Sequence, residues 1–104
     1  DLLMKKLTLI AALCLLAACD RNRSGAEDAV RAILKDPESA RFGEFYYNAS
    51  TKKACVTVNA KNSMGGYTGD QQAYVELKEG GWDALMTNAV PQSQCRKSYA
   101  DEAG

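Results

Sequence analysis

The sequence predicts an α+β fold, in which one N-terminal amphipathic helix packs on a small antiparallel β-meander of three to four strands. Two observations support this prediction. Apolar residues first recur at helical spacing, and after residue 40 they give way to short alternating segments separated by turn residues. A helix followed by consecutive strands is typical of the α+β class. With 104 residues, the chain is expected to form one small domain.

The helix is predicted over about ten residues that follow Ser24. Its apolar stripe consists of Ala26, Ala29, Val30, Ile33 and Leu34. Ser24 and Glu27 have the spacing of a capping box, in which the serine oxygen accepts a backbone N–H and the glutamate reaches back. Asp36-Pro37 ends the helix, because proline disfavours helical geometry in the residue before it.

Four segments are predicted as strands. The clearest is β-branched and alternating, and the last has the weakest pattern. These segments are residues 42–47, 54–59, 71–78 and 82–87. Polar or glycine-rich turns separate the first pair and the last pair, which is typical of hairpins. Residues 91–99 are expected to pack back on the sheet, and residues 100–104 to form a frayed tail.

The first 18 residues have the pattern of an export signal. Met4-Lys5-Lys6 is basic, Met4 is the expected translation start, and the apolar run over residues 7–18 follows it. That run is shorter than the roughly 20 residues that a membrane-spanning helix needs. Residues 19–24 are expected to be the anchor and a short extended tether, and residues 25–99 the folded domain.

Leu16-Ala17-Ala18-Cys19 resembles the lipobox of bacterial lipoproteins. The resemblance implies that the residues before Cys19 are removed and that its sulfur carries a diacylglycerol thioether. Asp20 is similar to the signal that keeps a lipoprotein in the inner membrane of enteric bacteria, so the periplasmic face of that membrane is favoured and the outer membrane is the alternative. The other interpretations are an unmodified Cys19 after a cleaved signal, an uncleaved anchor, and Asp20 as a solvated linker residue.

The cysteines then predict one disulfide. With Cys14 in the signal and Cys19 lipidated, Cys55 and Cys95 remain in an oxidising compartment. A disulfide across about 40 residues stabilises a fold by about 4 kcal/mol in the chain-entropy model. The alternative is a reactive or metal-binding thiol pair, but there is no CxxC spacing and no histidine.

Composition argues against several function classes. Lysine plus arginine balance aspartate plus glutamate at 13 each, which gives no electrostatic case for binding nucleic acid. The absence of histidine excludes a Ser-His-Asp or Cys-His nucleophilic site. No catalytic residue, metal site or cofactor is therefore predicted.

The segment most indicative of function is the loop over residues 61–70, which is longer than the 2–5 residues usual for a hairpin. Its three glycines allow unusual backbone angles, and it carries exposed apolar groups of the kind that binding loops present. The candidate binding residues are Lys61, Asn62, Met64, Tyr67, Thr68 and Asp70. The alternative is a wide turn that packs Tyr67 back on the sheet.

Two motifs, DPESARF at residues 36–42 and VNAKNSMGGYTG at residues 58–69, resemble a group of small bacterial and prophage-associated lipoproteins. The resemblance covers about residues 30–78 and implies a shared structure, but no catalytic residue. This sequence departs from the pattern after Gly69, where it has Asp70-Gln71-Gln72 in place of an aromatic residue.

These observations favour a membrane-anchored envelope lipoprotein that acts as a non-catalytic binding module. Its partners would be the lipid bilayer, through acylated Cys19, and an unidentified envelope protein or cell-wall component. The alternative is a prophage-type lipoprotein that excludes a superinfecting phage or conjugating DNA. A cell-wall-active enzyme is a remote alternative, because the sequence shows no activated nucleophile or acid/base pair.

Overall fold

The computed structural model describes the backbone of residues 21–103 and the side chains of residues 21–100. One four-stranded antiparallel sheet, in the order β1-β2-β3-β4, forms the centre of the fold. The strands are β1 (Arg41–Asn48), β2 (Lys53–Asn59), β3 (Gln71–Lys78) and β4 (Gly81–Asn88). Helix α1 (residues 21–33) packs on one face, and helix α2 (Gln92–Ala103) packs on the other.

The predicted α+β class, antiparallel meander and disulfide are confirmed. β3 has the predicted bounds, and the other three strands each extend a residue or two beyond theirs. Because side chains alternate along a strand, Ala54 and Val56 face α1 whereas Cys55, between them, faces α2. The main core therefore lies between α1 and the sheet, where Ala26 and Val30 meet the valines and alanines of β2 and β3.

The capping box predicted at Ser24 is wrong. Residues 21–24 are already helical, so Ser24 lies inside α1 and is not its N-cap. The Glu27 carboxylate instead pairs with Arg23, at 3.0 Å from Nε, and Arg23 Nη2 donates a hydrogen bond to Gly43 O at 2.8 Å. This pair at helical i,i+4 spacing also shows that residues 21–24, expected to be part of an extended tether, belong to the folded unit.

Helix α2 forms the segment that the sequence predicts only as packing back on the sheet. The Cys55–Cys95 disulfide joins it to β2. Beside the disulfide, Gln92 Nε2 donates to Cys55 O at 3.3 Å, and the Thr57 hydroxyl lies 3.1 Å from Gln92 Oε1. The backbone of residues 100–103, where a frayed tail was expected, continues this helix.

The two ends of the sheet differ in what they carry. One end, which we call the turn end, holds the β1–β2 and β3–β4 turns at residues 49–52 and 79–80. The other end, the loop end, holds residues 60–70 between β2 and β3. Gly25 of α1 packs against Trp82 near the turn end, whereas the last residues of α1 reach the loop end. Within residues 21–103, no helix is long and apolar enough to cross a bilayer.

Candidate functional site

The loop over residues 61–70 has a defined backbone. Lys61 and Tyr67 face each other in an antiparallel bridge, and Asn62 N donates to Gly66 O at 2.9 Å across a tight turn. Gly65, inside that turn, has a φ of +83°, which a residue with a side chain rarely adopts. The loop is therefore a small hairpin that extends the sheet beyond β2 and β3.

Two asparagine side chains fix this hairpin. Asn62 Oδ1 accepts hydrogen bonds from the backbone N–H groups of Met64 and Gly66, at 2.9 and 3.2 Å. Asn59 Oδ1 accepts one from Gly69 N at 3.0 Å, where φ is +93°. Short asparagine side chains favour such turns because they satisfy backbone donors that no strand partner reaches.

Tyr67 lies at the base of the loop and is 37% exposed. Its hydroxyl donates to Ser39 O at 3.1 Å, and the Arg41 guanidinium carbon lies 4.2 Å from its ring centroid. Lys61 Nζ lies 5.6 Å from the same centroid. The ring thus packs against the 3-10 turn (Pro37–Ser39) and the start of β1, which is close to the wide-turn alternative, although the residue stays partly exposed.

The remaining candidate residues have different surroundings. Met64, at the tip, is 94% exposed. Thr68 donates from Oγ1 to Ala60 O at 3.4 Å and accepts from Gln71 Nε2 at 3.2 Å, so it closes the base of the loop. Asp70 is exposed just before β3. Met64 is therefore the one large apolar side chain that the loop presents almost fully to solvent.

An open groove of about 270 Å³, which we call the α1–loop groove, lies between the end of α1 and the base of the loop. Its apolar residues are Ile33, Leu34, Val58 and Ala60. Its polar and charged residues are Lys35, Lys61, Asn62, Thr68, Gln71 and Thr87. Sequence reasoning found Lys61, Asn62 and Thr68 but missed the contributions of α1, β3 and β4, because only the fold brings these elements to one corner.

The charged side chains of the groove are both cationic. Ion pairs elsewhere in the described part join Arg23 to Glu27, Arg31 to Asp28, Lys53 to Glu76, Lys78 to Asp83 and Arg96 to Glu44. Within residues 21–100, neither Lys35 nor Lys61 pairs with a carboxylate. The carboxylates of Asp36, Glu38 and Asp70 lie in neighbouring segments and do not line the groove.

Perturbed titratable groups lie away from the groove. The Tyr99 hydroxyl is buried against the disulfide and has no hydrogen-bond partner within the described residues. Burial raises the pKa of this phenol, and the nearby Glu76 carboxylate and Tyr74 add to the shift. At the turn end, a hydrogen bond to Asp83 raises the pKa of Lys78. Among residues 21–103, no group of three or more carboxylate or cysteine side chains is placed to hold a metal ion.

Of the other predicted residues, Cys55 and Cys95 form the disulfide on the α2 face, whereas the groove lies at the end of α1. Cys19, predicted as the lipidation site, and Asp20, predicted as the sorting residue, lie outside the described residues, as does the signal over residues 1–18. Comparison with protein-family models, with curated proteins and with solved structures finds no match to this chain.

Proposed function

We propose that this chain is a lipid-anchored envelope protein whose domain binds another envelope component through loop 61–70, without a catalytic step. The observation that carries the proposal is the combination of a fixed loop backbone with a fully presented apolar tip. Met64 is 94% exposed, although side-chain and backbone hydrogen bonds hold the loop on both sides of it.

A loop that is already fixed in the folded protein favours binding, because it loses little conformational entropy when a partner binds. Immobilising a flexible side chain or loop on association costs free energy that subtracts from affinity. Methionine also suits such a position, since its unbranched and polarisable side chain adapts to the surface it meets.

The proposed anchor determines how the loop is presented. Arg21, the first described residue, follows Cys19 by two residues, which span at most about 7 Å. A helix over residues 21–33 then rises about 18 Å from the turn end to the loop end. In this arrangement the loop lies at the end of the domain remote from the anchor, within reach of components of the envelope that lie beyond the lipid surface.

A photo-crosslinking residue in place of Met64 tests the binding function in cells. The matched control is the same residue in place of Ser50, which is exposed in the β1–β2 turn at the opposite end. We expect a discrete adduct from position 64 and none from position 50. Adducts of equal yield from both positions, or none from position 64, would contradict the proposal.

Metabolic labelling with a palmitate analogue tests the anchor independently. We expect Cys19→Ser to abolish the label and to release the protein from the membrane fraction. Cys14→Ser, five residues earlier, is the matched control and should keep the label. Retention of the label in the Cys19→Ser variant would place the lipid elsewhere and would remove the anchoring argument.

A further inference from the structure

We propose that the α1–loop groove binds the C-terminal residue of a partner protein, with an apolar side chain on the groove floor and the terminal carboxylate between Lys35 and Lys61. This inference rests on the proposed function, since it names the part of the partner that the loop end would hold. It commits to a protein chain terminus, with other anionic apolar groups as outcomes of the test.

The groove floor is an unfilled part of the core-facing side of α1. Ile33 belongs to the apolar stripe of the helix, yet it is 44% exposed, because the helix ends beside the loop and the side chains of residues 21–100 leave it partly uncovered. Val58, on the adjoining corner of the sheet, is almost fully buried, so the apolar surface left to cover belongs mainly to Ile33. Covering such surface contributes about 25 cal/mol for each Å² removed from water, which favours an apolar occupant.

The electrostatics favour an anion. The carbonyl end of α1 contributes roughly half a negative charge near the groove. Lys35 and Lys61 contribute two positive charges, and the structure gives neither a carboxylate partner within residues 21–100. The lysines outweigh the helix end within the groove, because the neighbouring carboxylates of Asp36, Glu38 and Asp70 do not line it, so an acidic group there gains a charge-assisted hydrogen bond.

The size and polarity of the groove favour a chain terminus over a hydrocarbon chain. A volume of about 270 Å³ lies below the range of about 300–1,000 Å³ for pockets that enclose drug-sized ligands. The apolar group and the anionic group of the occupant must therefore lie close together, and an apolar C-terminal residue carries both. The Thr87 hydroxyl, which makes no hydrogen bond within the described part, can serve a peptide backbone but not an acyl chain.

An NMR titration of the ¹⁵N-labelled full chain in neutral detergent micelles tests this proposal. The probes are acetylated tetrapeptides that end in Leu, Val or Phe, each with a free carboxylate or a terminal amide, and laurate as an acyl control. We expect the free-acid peptides to shift the amides of Leu34, Lys35, Lys61 and Thr87. The amidated peptides should bind about 25-fold more weakly, because they lose the charge-assisted bonds to both lysines, each worth about fivefold or about 1 kcal/mol.

Lysine variants locate the carboxylate. Lys35→Gln and Lys61→Gln should each weaken the free-acid peptides about fivefold and leave the amidated ones unchanged. Lys97→Gln, on exposed α2, is the matched control and should change neither. Equal binding of acid and amide, saturation of the same amides by laurate instead, or no shift with any peptide overturns the groove assignment. Adduct formation from position 64 would survive that result, so the two proposals can fail separately.

Discussion

The two helices cover opposite faces of one sheet by different means. Helix α1 is held by shape and apolar contact, with Ala26 and Val30 completely buried against β2 and β3. Helix α2 buries one aromatic ring, that of Tyr99, and is joined to β2 by the Cys55–Cys95 disulfide and the hydrogen bonds of Gln92. A small domain can thus place one helix by hydrophobic burial and another by a covalent bond with polar support.

The largest test of this comparison is removal of the disulfide. Cys55→Ala with Cys95→Ala should lower the free energy of unfolding by about 4 kcal/mol, because the bond closes a loop of about 40 residues. We also expect α2 to detach before the sheet unfolds. Urea unfolding gives the first quantity, and amide hydrogen exchange at residues 92–100 gives the second.

Ser93→Ala, on the exposed side of α2, is the control for a substitution in this helix outside the pair. If the double variant loses less than about 1 kcal/mol and the α2 amides stay protected, the contacts of Gln92 and Tyr99 hold the helix without the bond. The comparison between a burial-held and a covalently held helix would then be wrong.

The same difference explains what could be predicted from the sequence. The stripe of α1 consists of alanine, valine, isoleucine and leucine, so its helical period is visible. The inward face of α2 is Gln92, Cys95 and Tyr99, which have helical spacing but include one polar residue and one cysteine. The spacing of apolar residues therefore does not predict α2, although the pairing of Cys55 with Cys95 correctly places the segment against β2.

The candidate site shows a similar division. The length and glycines of loop 61–70 are local properties, and they point to the region that proves to be a structured hairpin. The groove beside it is assembled from the end of α1, the start of β3 and the end of β4. Residues such as Ile33 and Thr87 are far apart in the chain, and no local pattern indicates that they meet.

A smaller test addresses how closely α1 fits the sheet. A Cβ at position 25 would overlap Trp82 Cδ1 and lie 2.7 Å from Nε1. Overpacking of this kind costs up to about 3 kcal/mol, against about 1 kcal/mol that alanine gains over glycine in a helix. Gly25→Ala should therefore lower the free energy of unfolding by about 2 kcal/mol, measured by urea unfolding.

A double-mutant cycle with Trp82→Leu isolates this overlap. In the Trp82→Leu background, Gly25→Ala should become neutral or stabilising, because the indole is gone. Gly66→Ala, where a Cβ meets nothing within 4 Å, is the control for loss of a glycine. A cost at position 25 that is unchanged without the indole would mean that α1 tolerates no side chain there for another reason.

The smallest expected effect concerns the free-energy cost of the hydroxyl that is buried under α2. The Tyr99 hydroxyl is buried with no hydrogen-bond partner among the described residues, a situation that costs about 1–3 kcal/mol. Tyr99→Phe keeps the edge-on ring contact with Tyr74, at 5.6 Å between centroids, and removes the hydroxyl. We therefore expect this variant to raise the free energy of unfolding by about 1 kcal/mol at pH 7.

The pH dependence gives the same prediction a second readout. Burial raises the pKa of Tyr99 above its ordinary value of 10.0, and Glu76 and Tyr74 add to the shift, while Lys53 Nζ lies 5.3 Å from the ring centroid. Below pH 10 the phenol is neutral in both the folded and the unfolded chain, so its titration does not lower the free energy of unfolding. Above pH 10 the unfolded chain releases the proton first, so the free energy of unfolding falls as the pH rises toward the pKa of Tyr99 in the folded chain. Urea unfolding at pH 8 and pH 11 should show that Tyr99→Phe loses less free energy of unfolding between these pH values than the wild type does. An equal loss would show that Tyr99 is solvated enough to ionise in the folded chain.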